Sequence, residues 1–204
     1  MMTRVVSTLL SGALLLTLTA GLRAQPKPPV KPAPRPAAPK TAAAKAITPT
    51  PGAGPIIVVD TTKGTFEFET YPNEAPRTVE HVVNLVKKGF YNGLRFHRVE
   101  PGFVIQAGDP NTRDFTKKDL WGTGGSGTPV GVSELSRKHK HVTGAVAMAH
   151  PGNAAKADAQ FYVMLDNRPS LDGKYVVFGQ VISGPDVPAK IRVGDVIRKM
   201  SVKP

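Results

Sequence analysis

A chain of 204 residues has room for one domain with a full core plus extensions, and its lack of cysteine excludes a disulfide framework, a zinc–thiolate site and a thiol nucleophile. The formal charge of +12 points to nucleic acid only until it is divided. Residues 1–55 hold seven Lys or Arg and no acidic residue, leaving 20 basic against 15 acidic residues in 56–204, a mildly basic domain with no helix-turn-helix, aromatic–basic RNA-binding pattern or zinc-finger spacing, so no nucleic-acid partner is expected.

Residues 1–24 read as an export signal: Arg4 supplies the positive start, Val5 to Leu22 is uncharged and largely apolar, and Ala24 suits the last position before cleavage. Leu22 is large for its place and Arg23 is charged, so a retained anchor is the alternative; the Ser, Thr and Gly content favours cleavage. The protein is therefore expected to be exported, to a periplasm or cell envelope, and membrane-anchored if the signal stays. Residues 25–55 are mainly Pro, Ala and Lys and hold 10 of the 20 prolines. Such a segment cannot bury enough apolar surface to fold, and reads as a disordered, semi-rigid polyproline spacer reaching on the order of 90 Å. Its positive charge suits contact with anionic envelope polymers.

The folded domain, 56–204, is predicted to start with strands over Ile56–Asp60 and Thr65–Tyr71, the second with Phe66 and Phe68 on one face and Glu67 and Glu69 on the other. A helix follows, with Pro76 at its first position, Lys87 and Lys88 late, Gly89 as its stop, and an apolar stripe of Val79, Val82, Val83 and Val86. Two short apolar runs then fold back through Pro101-Gly102. Further strands are expected over Val142–Ala149, Gln160–Leu165, Tyr175–Ile182 and Val196–Val202, with a short helical turn around Val187–Ile191. Many short strands with few helices predict a mainly β, antiparallel barrel.

Within the hairpin, alternation places Arg98 on the face of Leu94 and Phe96, and a turn symmetric about Gly102 sets Arg98 opposite Gln106. An arginine on an apolar face needs something to hold it. The Gln106 amide oxygen can accept from one guanidinium nitrogen and leave other donors free.

Phe96-His97-Arg98-Val99-Glu100-Pro101-Gly102-Phe103-Val104-Ile105-Gln106-Ala107-Gly108-Asp109 closely resembles the signature of the cyclophilin-type peptidyl-prolyl cis-trans isomerases, commonly F-H-R-V-I-P-G-F-M-I-Q-G-G-D, departing at Glu100, Val104 and Ala107. Gly122 to Gly127 is similar to the family's glycine-rich loop. Gly144 to His150 resembles its G-x-[LIV]-[SA]-M-A-[NR] strand, Ala159 to Val163 its S-Q-F-F-I, and Leu171 to Gly179 its L-D-G-K-x-x-V-F-G. The resemblance implies a closed eight-stranded barrel capped by one or two helices, and a cofactor-free, metal-free enzyme acting on X-Pro segments of unfolded or flexible proteins. It implies Arg98 and Gln106 as catalytic residues, and a proline pocket of Phe103, Val104, Tyr162 and Leu171. Backbone groups of Ala149, His150 and Gln160 would hold the peptide as an added strand, Gly122 would line a neighbouring specificity pocket, and Tyr175 stands at a binding position where many eukaryotic members have His. Tyr162 replaces the usual Phe and adds a hydroxyl at the pocket floor. Ser170 stands where some members carry Trp, so weak cyclosporin binding is expected. A monomer assisting the folding of exported proteins is the expected form and role; the alternative is a proline-peptide-binding adaptor or chaperone whose catalysis is incidental.

Other constellations carry less. His139 and His141, two apart, sit in a Lys/Arg-rich turn without a carboxylate cluster, which argues against a metal pair. Ser126 nearly fits G-x-S-x-G, but position 128 is Thr and no Gly-Lys-Ser/Thr follows for a phosphate loop. Trp121 receives no role.

Overall fold

Among the described residues, strands with apolar side chains on both faces place the site. The computed structural model describes residues 54–204; the expected signal segment, and the spacer up to residue 53, lie outside the described residues. Its strands are β1 (Ile56–Thr61), β2 (Gly64–Thr70), β3 (Arg98–Glu100), β4 (Val104–Ala107), β5 (Ala145–Met148), β6 (Phe161–Met164), β7 (Val177–Ser183) and β8 (Ile197–Val202). They form one eight-stranded antiparallel sheet in the order β3-β4-β6-β5-β7-β2-β1-β8, curled as a half-barrel.

Alternate residues of β4, β5 and β6 divide between two clusters. Ile105, Val146, Met148, Phe161 and Val163 enter the main core with Phe66, Phe68 and Phe178. Val104, Ala145, Ala147, Tyr162 and Met164 face the other way, and with Phe103, Leu171 and Tyr175 they build a second apolar layer. A strand that must bury both faces reads as a continuous apolar run, which is what Ala145–Met148 and Phe161–Met164 show.

Helix α1 (Pro76–Lys87) buries Val79, Val82, Val83, Leu85 and Val86 in the main core, and its stop, Gly89, has φ +70°. Its side chains provide no N-cap. Glu134 supplies one from a distant loop, its two carboxylate oxygens accepting from the Arg77 and Thr78 N–H groups at 2.9 Å each. Helix α2 (Val187–Lys190) is a single turn lying on β2. Among the described residues no helix is long and apolar enough to cross a membrane.

Several expected boundaries shift. The domain takes hold before Ile56, with Gly54 N–H donating to Thr70 C=O at 2.7 Å and Pro55 C=O accepting from Thr70 N–H. Val142 and Thr143 fall outside β5 because Gly144, at φ +81°, turns the chain just before it. Leu94 and Phe96 do not share a face with Arg98: the Gly93 N–H donates to the Ile197 C=O in β8, and Phe96 donates to the Asp195 C=O and accepts from the Gly194 N–H just ahead of it, with Leu94 and Phe96 buried in the main core. The chain turns at His97, and β3 begins only at Arg98, on the opposite side.

Candidate active site

The hairpin register sets the site. Arg98 pairs with Gln106 and Glu100 with Val104 around Gly102, whose φ of +69° the turn requires. Arg98 Nη1 donates to Gln106 Oε1 at 3.2 Å. The orientation of that amide follows from its neighbours. Gln160 Nε2 donates to the Gly122 and Gly124 carbonyls, both at 2.8 Å, so Gln160 Oε1 faces Gln106 and accepts from its Nε2 at 2.9 Å. Gln106 therefore has its oxygen left for Arg98. Two amides thus carry the geometry of the glycine-rich loop to the guanidinium.

The loop itself is held by two aspartates that sequence reasoning gave no role. Buried Asp109 accepts from the N–H groups of Asn111 (2.8 Å), Gly122 (2.5 Å) and Gly124 (3.1 Å). Asp158 accepts from the Ser126 and Gly127 N–H groups and from the Ser126 hydroxyl. Ser126 is thereby a loop anchor, in place of a nucleophile. The available signal was the glycine run, whose free N–H groups need an anionic partner when they are drawn inward. Trp121 also has a structural part, its Nε1 donating to the Asp114 C=O at 3.2 Å beside the ring of Phe115.

Two adjoining cavities meet at Gln106, and Arg98 lines the smaller of them. The smaller, ≈ 230 Å³, is lined by Arg98, Phe103, Val104 and Gln106 from the hairpin, and by Ala149, His150, Tyr162, Leu171 and Tyr175 from later segments. The larger, ≈ 510 Å³, shares Gln106, Ala149 and His150 and adds Gly122, Gln160, Lys156 and Asp158. All eleven sequence-derived site residues therefore meet in these two hollows. Lys156 and Asp158 are additions.

Three details differ from expectation. The Tyr162 hydroxyl does not lie open at the pocket floor; it points behind it to His141 Nε2, 3.0 Å away. The Ala149 N–H donates to the Gln160 C=O at 2.9 Å, so this donor is already engaged within the sheet and an added peptide strand would rely on other groups. Glu100, one of the departures from the signature, reaches Arg98: its Oε1 accepts from Nε at 2.7 Å and lies 2.7 Å from Nη2. Arg98 and Glu100 both point from the same face of a strand, two residues apart, a relation that turns on rotamers and so is not legible in the sequence.

Burial shifts two groups around the pocket toward their neutral forms. Burial raises the Tyr162 phenol well above the ordinary range, so it stays protonated. Burial also pushes the His141 imidazole below its usual value, against the pull of Asp172. His139 and His141 turn to different neighbours: His139 stacks on Tyr71 with ring centres 3.7 Å apart and lies 3.5 Å from Glu74, whereas His141 is buried behind the pocket.

A family model described as cyclophilin type peptidyl-prolyl cis-trans isomerase/CLD matches residues 56–204. Peptidyl-prolyl cis-trans isomerase B of Bacillus subtilis is 39% identical over 137 residues, covering 67% of this chain and 90% of that protein. A probable peptidyl-prolyl cis-trans isomerase of Brucella abortus is 39% identical over 150 residues, 72% of this chain and 76% of its own length. A peptidyl-prolyl cis-trans isomerase of Helicobacter pylori is 38% identical over 144 residues, 70% of this chain and 83% of its own. The crystal structure of a Cryptosporidium parvum cyclophilin type isomerase superposes with a TM-score of 0.63 at 24% identity, covering 74% of this chain and 98% of that one. A second structure of that protein, determined in the presence of the dipeptide Ala-Pro, gives 0.64 at 23% identity, covering 73% and 99%. With its signature hairpin, two-faced sheet and paired cavities, the chain belongs to the cyclophilin-type peptidyl-prolyl cis-trans isomerase family.

Proposed function

We propose that Arg98 is the group through which this peptidyl-prolyl cis-trans isomerase lowers the barrier to rotation about an X-Pro bond. That barrier is ~18–20 kcal/mol, and the free reaction takes roughly 10–100 s. Bringing it to about a millisecond asks for a factor of about 10⁴ to 10⁵, or roughly 5.5–7 kcal/mol. No bond breaks, so the demand is electrostatic. As the C–N bond twists, resonance is lost and the proline nitrogen gains a lone pair. A donor placed on that lone pair acts only in the twisted state, and so accelerates in place of merely binding. One preorganised donor in a desolvated site contributes roughly 3–4 kcal/mol, and the apolar cavity would supply the remainder by favouring the ring in its twisted setting.

The observation that carries this reading is the bracing of Arg98. Of its five N–H donors, one on Nη1 goes to Gln106, and Nε with one on Nη2 goes to Glu100. One hydrogen on each Nη remains, on a guanidinium that lines the ≈ 230 Å³ cavity. A hollow of this size, below the roughly 300–1,000 Å³ of drug-sized sites, suits a single ring walled by Phe103, Val104, Tyr162 and Leu171. The Ala-Pro dipeptide used with the Cryptosporidium protein accords with a proline ligand. Isomerisation of a Pro-containing peptide by wild type and Arg98→Ala tests the assignment; equal rates would leave Arg98 without a catalytic part and favour the adaptor reading.

The proposal extends to setting and fold. The protein acts after export, in a periplasm or envelope, on X-Pro bonds of folding proteins, as a monomer with weak affinity for cyclosporin; residues 1–24 and the basic proline-rich segment support the export and the envelope contact. The half-barrel is read as a closed barrel, supported by the bridge between Arg95 and Val196 and by the Phe96 N–H donating to the Asp195 C=O at 3.0 Å.

A further inference from the structure

Behind the smaller cavity lies a fully buried imidazole joined to its floor and to two of its walls. His141 Nδ1 is 3.1 Å from Asp172 Oδ1, and its Nε2 is 3.0 Å from the Tyr162 hydroxyl. The same Asp172 oxygen accepts the His141 main-chain N–H at 2.8 Å. An ionised carboxylate only accepts, so Nδ1 carries the proton; Nε2 is then the acceptor, and Tyr162 donates to it. In that state the hydroxyl is directed out of the cavity and the floor offered to a ligand is an aromatic face.

The walls hang from the same residue. The His141 C=O accepts from the Arg168 N–H at 2.7 Å, and the Arg168 guanidinium donates to the Gly102 C=O at 2.7 Å while lying 5.5 Å from the Phe103 ring centre. Asp172 directly follows Leu171, and the Tyr175 ring stands edge-on to the imidazole at 6.3 Å. Tyr162, Leu171 and Tyr175 are thus tied to the His141 side chain, which itself lines nothing, and Phe103 to its main chain.

We propose that His141 is a positioning residue of the prolyl site: while neutral it holds the floor through Tyr162 and the wall through Asp172, and protonation reverses its bond to the floor. This rests on the reading of the smaller cavity as the proline pocket. A protonated ring donates from both nitrogens. The Tyr162 hydroxyl then loses its acceptor and must turn its hydrogen elsewhere, making an apolar floor polar. The groups facing the imidazole are Asp172, Tyr162 and Tyr175, with Lys140 Nζ 3.7 Å from the outer oxygen of Asp172. Burial opposes protonation and Asp172 favours it. Arg98 is oriented separately by Gln106 and Glu100, so the effect falls on binding more than on the rotation step.

The test is the pH dependence of KM for a peptide with an Ala-Pro bond, between pH 8 and pH 5. Wild type is expected to show KM rising about 5- to 10-fold toward acid as one buried hydrogen bond is lost, with a smaller change in kcat. His141→Gln should remove the rise, and Asp172→Asn should move it to lower pH, which a merely structural part would not do. A wild-type KM level across the range, or His141→Gln keeping the wild-type slope, overturns the proposal. Should His141→Gln fail to fold, Tyr162→Phe decides: a reduced slope supports the assignment and an unchanged one overturns it. Leu171→Ala serves as the control on the pocket. If it leaves KM at pH 8 unchanged, the pocket reading falls and takes this one with it; if it raises KM while the His141→Gln slope stays as in wild type, only the assignment of His141 falls.

Discussion

Glu100 Oε1 sits 2.7 Å from both Nε and Nη2 of Arg98, on the guanidinium edge away from Gln106. The Arg98 guanidinium is therefore braced from two sides, and its free donors are limited to one on each Nη. The pair is about half exposed, so its energy is modest and its value lies in fixing a rotamer. Glu100→Ala is expected to lower kcat by about 2- to 5-fold with little change in KM, the scale of an exposed ion pair. Glu100→Gln, which keeps an acceptor oxygen, should recover most of the loss. Steady-state kinetics of the two variants check this, and a wild-type kcat for Glu100→Ala would show that Gln106 alone suffices.

The second brace is longer. Gln160 orients Gln106 by occupying its amide nitrogen, and is itself oriented by two carbonyls of the glycine-rich loop. Gln160→Leu keeps the volume and removes the polarity, so Gln106 is free to turn its nitrogen toward Arg98. A fall in kcat/KM of about 5- to 10-fold is expected, as for the loss of one or two neutral hydrogen bonds, with an unchanged far-ultraviolet spectrum.

The loop that begins this chain of contacts tolerates no side chain at Gly124. A Cβ there would lie 2.4 Å from Asp109 Oδ1 and 2.9 Å from Asn111 Nδ2. Asp109 is buried and carries three backbone donors, so it cannot move aside without stranding them. Gly124→Ala should destabilise the domain by about 1–3 kcal/mol, the usual scale of overpacking. A urea midpoint equal to that of wild type would contradict the account of the loop.

Stability should also fall in acid. His97 and His141 both have imidazoles held below the ordinary value of 6.5 by burial. An unfolded chain therefore binds these protons first as pH falls, and stability declines from about pH 6.5 downward until the folded-state values are passed. Above that window their contribution is complete. Urea unfolding at pH 7.5 and pH 5.5 measures the decline, and His141→Gln should reduce it.

Much of this was legible in the residues. Symmetry about Gly102 gave the Arg98–Gln106 pairing, because a two-stranded turn leaves few registers for a glycine that must take positive φ. The apolar runs of β5 and β6 are recognisable as strands, and so is β7, although Gly144 and the bend at Tyr175 delay the starts of β5 and β7. The turn at His97 is not, since local alternation cannot register that Phe96 bonds across to Gly194 and Asp195 while Arg98 pairs with β4. Nor are the 3-10 turns over Pro110–Arg113 and Phe115–Leu120, which are set by Asp109 and Asp114 accepting from the N–H two residues on. In the sequence His141 reads only as half of a metal pair, because its partners Tyr162 and Asp172 stand 21 and 31 residues away.

The most direct measurement of the central claim is kcat for a Pro-containing peptide, taken on the full chain with Arg98→Ala beside wild type. Loss of a donor that acts only on the twisted nitrogen predicts a fall of about 10²- to 10³-fold in kcat while KM changes far less. A kcat within a few-fold of wild type, or a loss confined to KM, would contradict it.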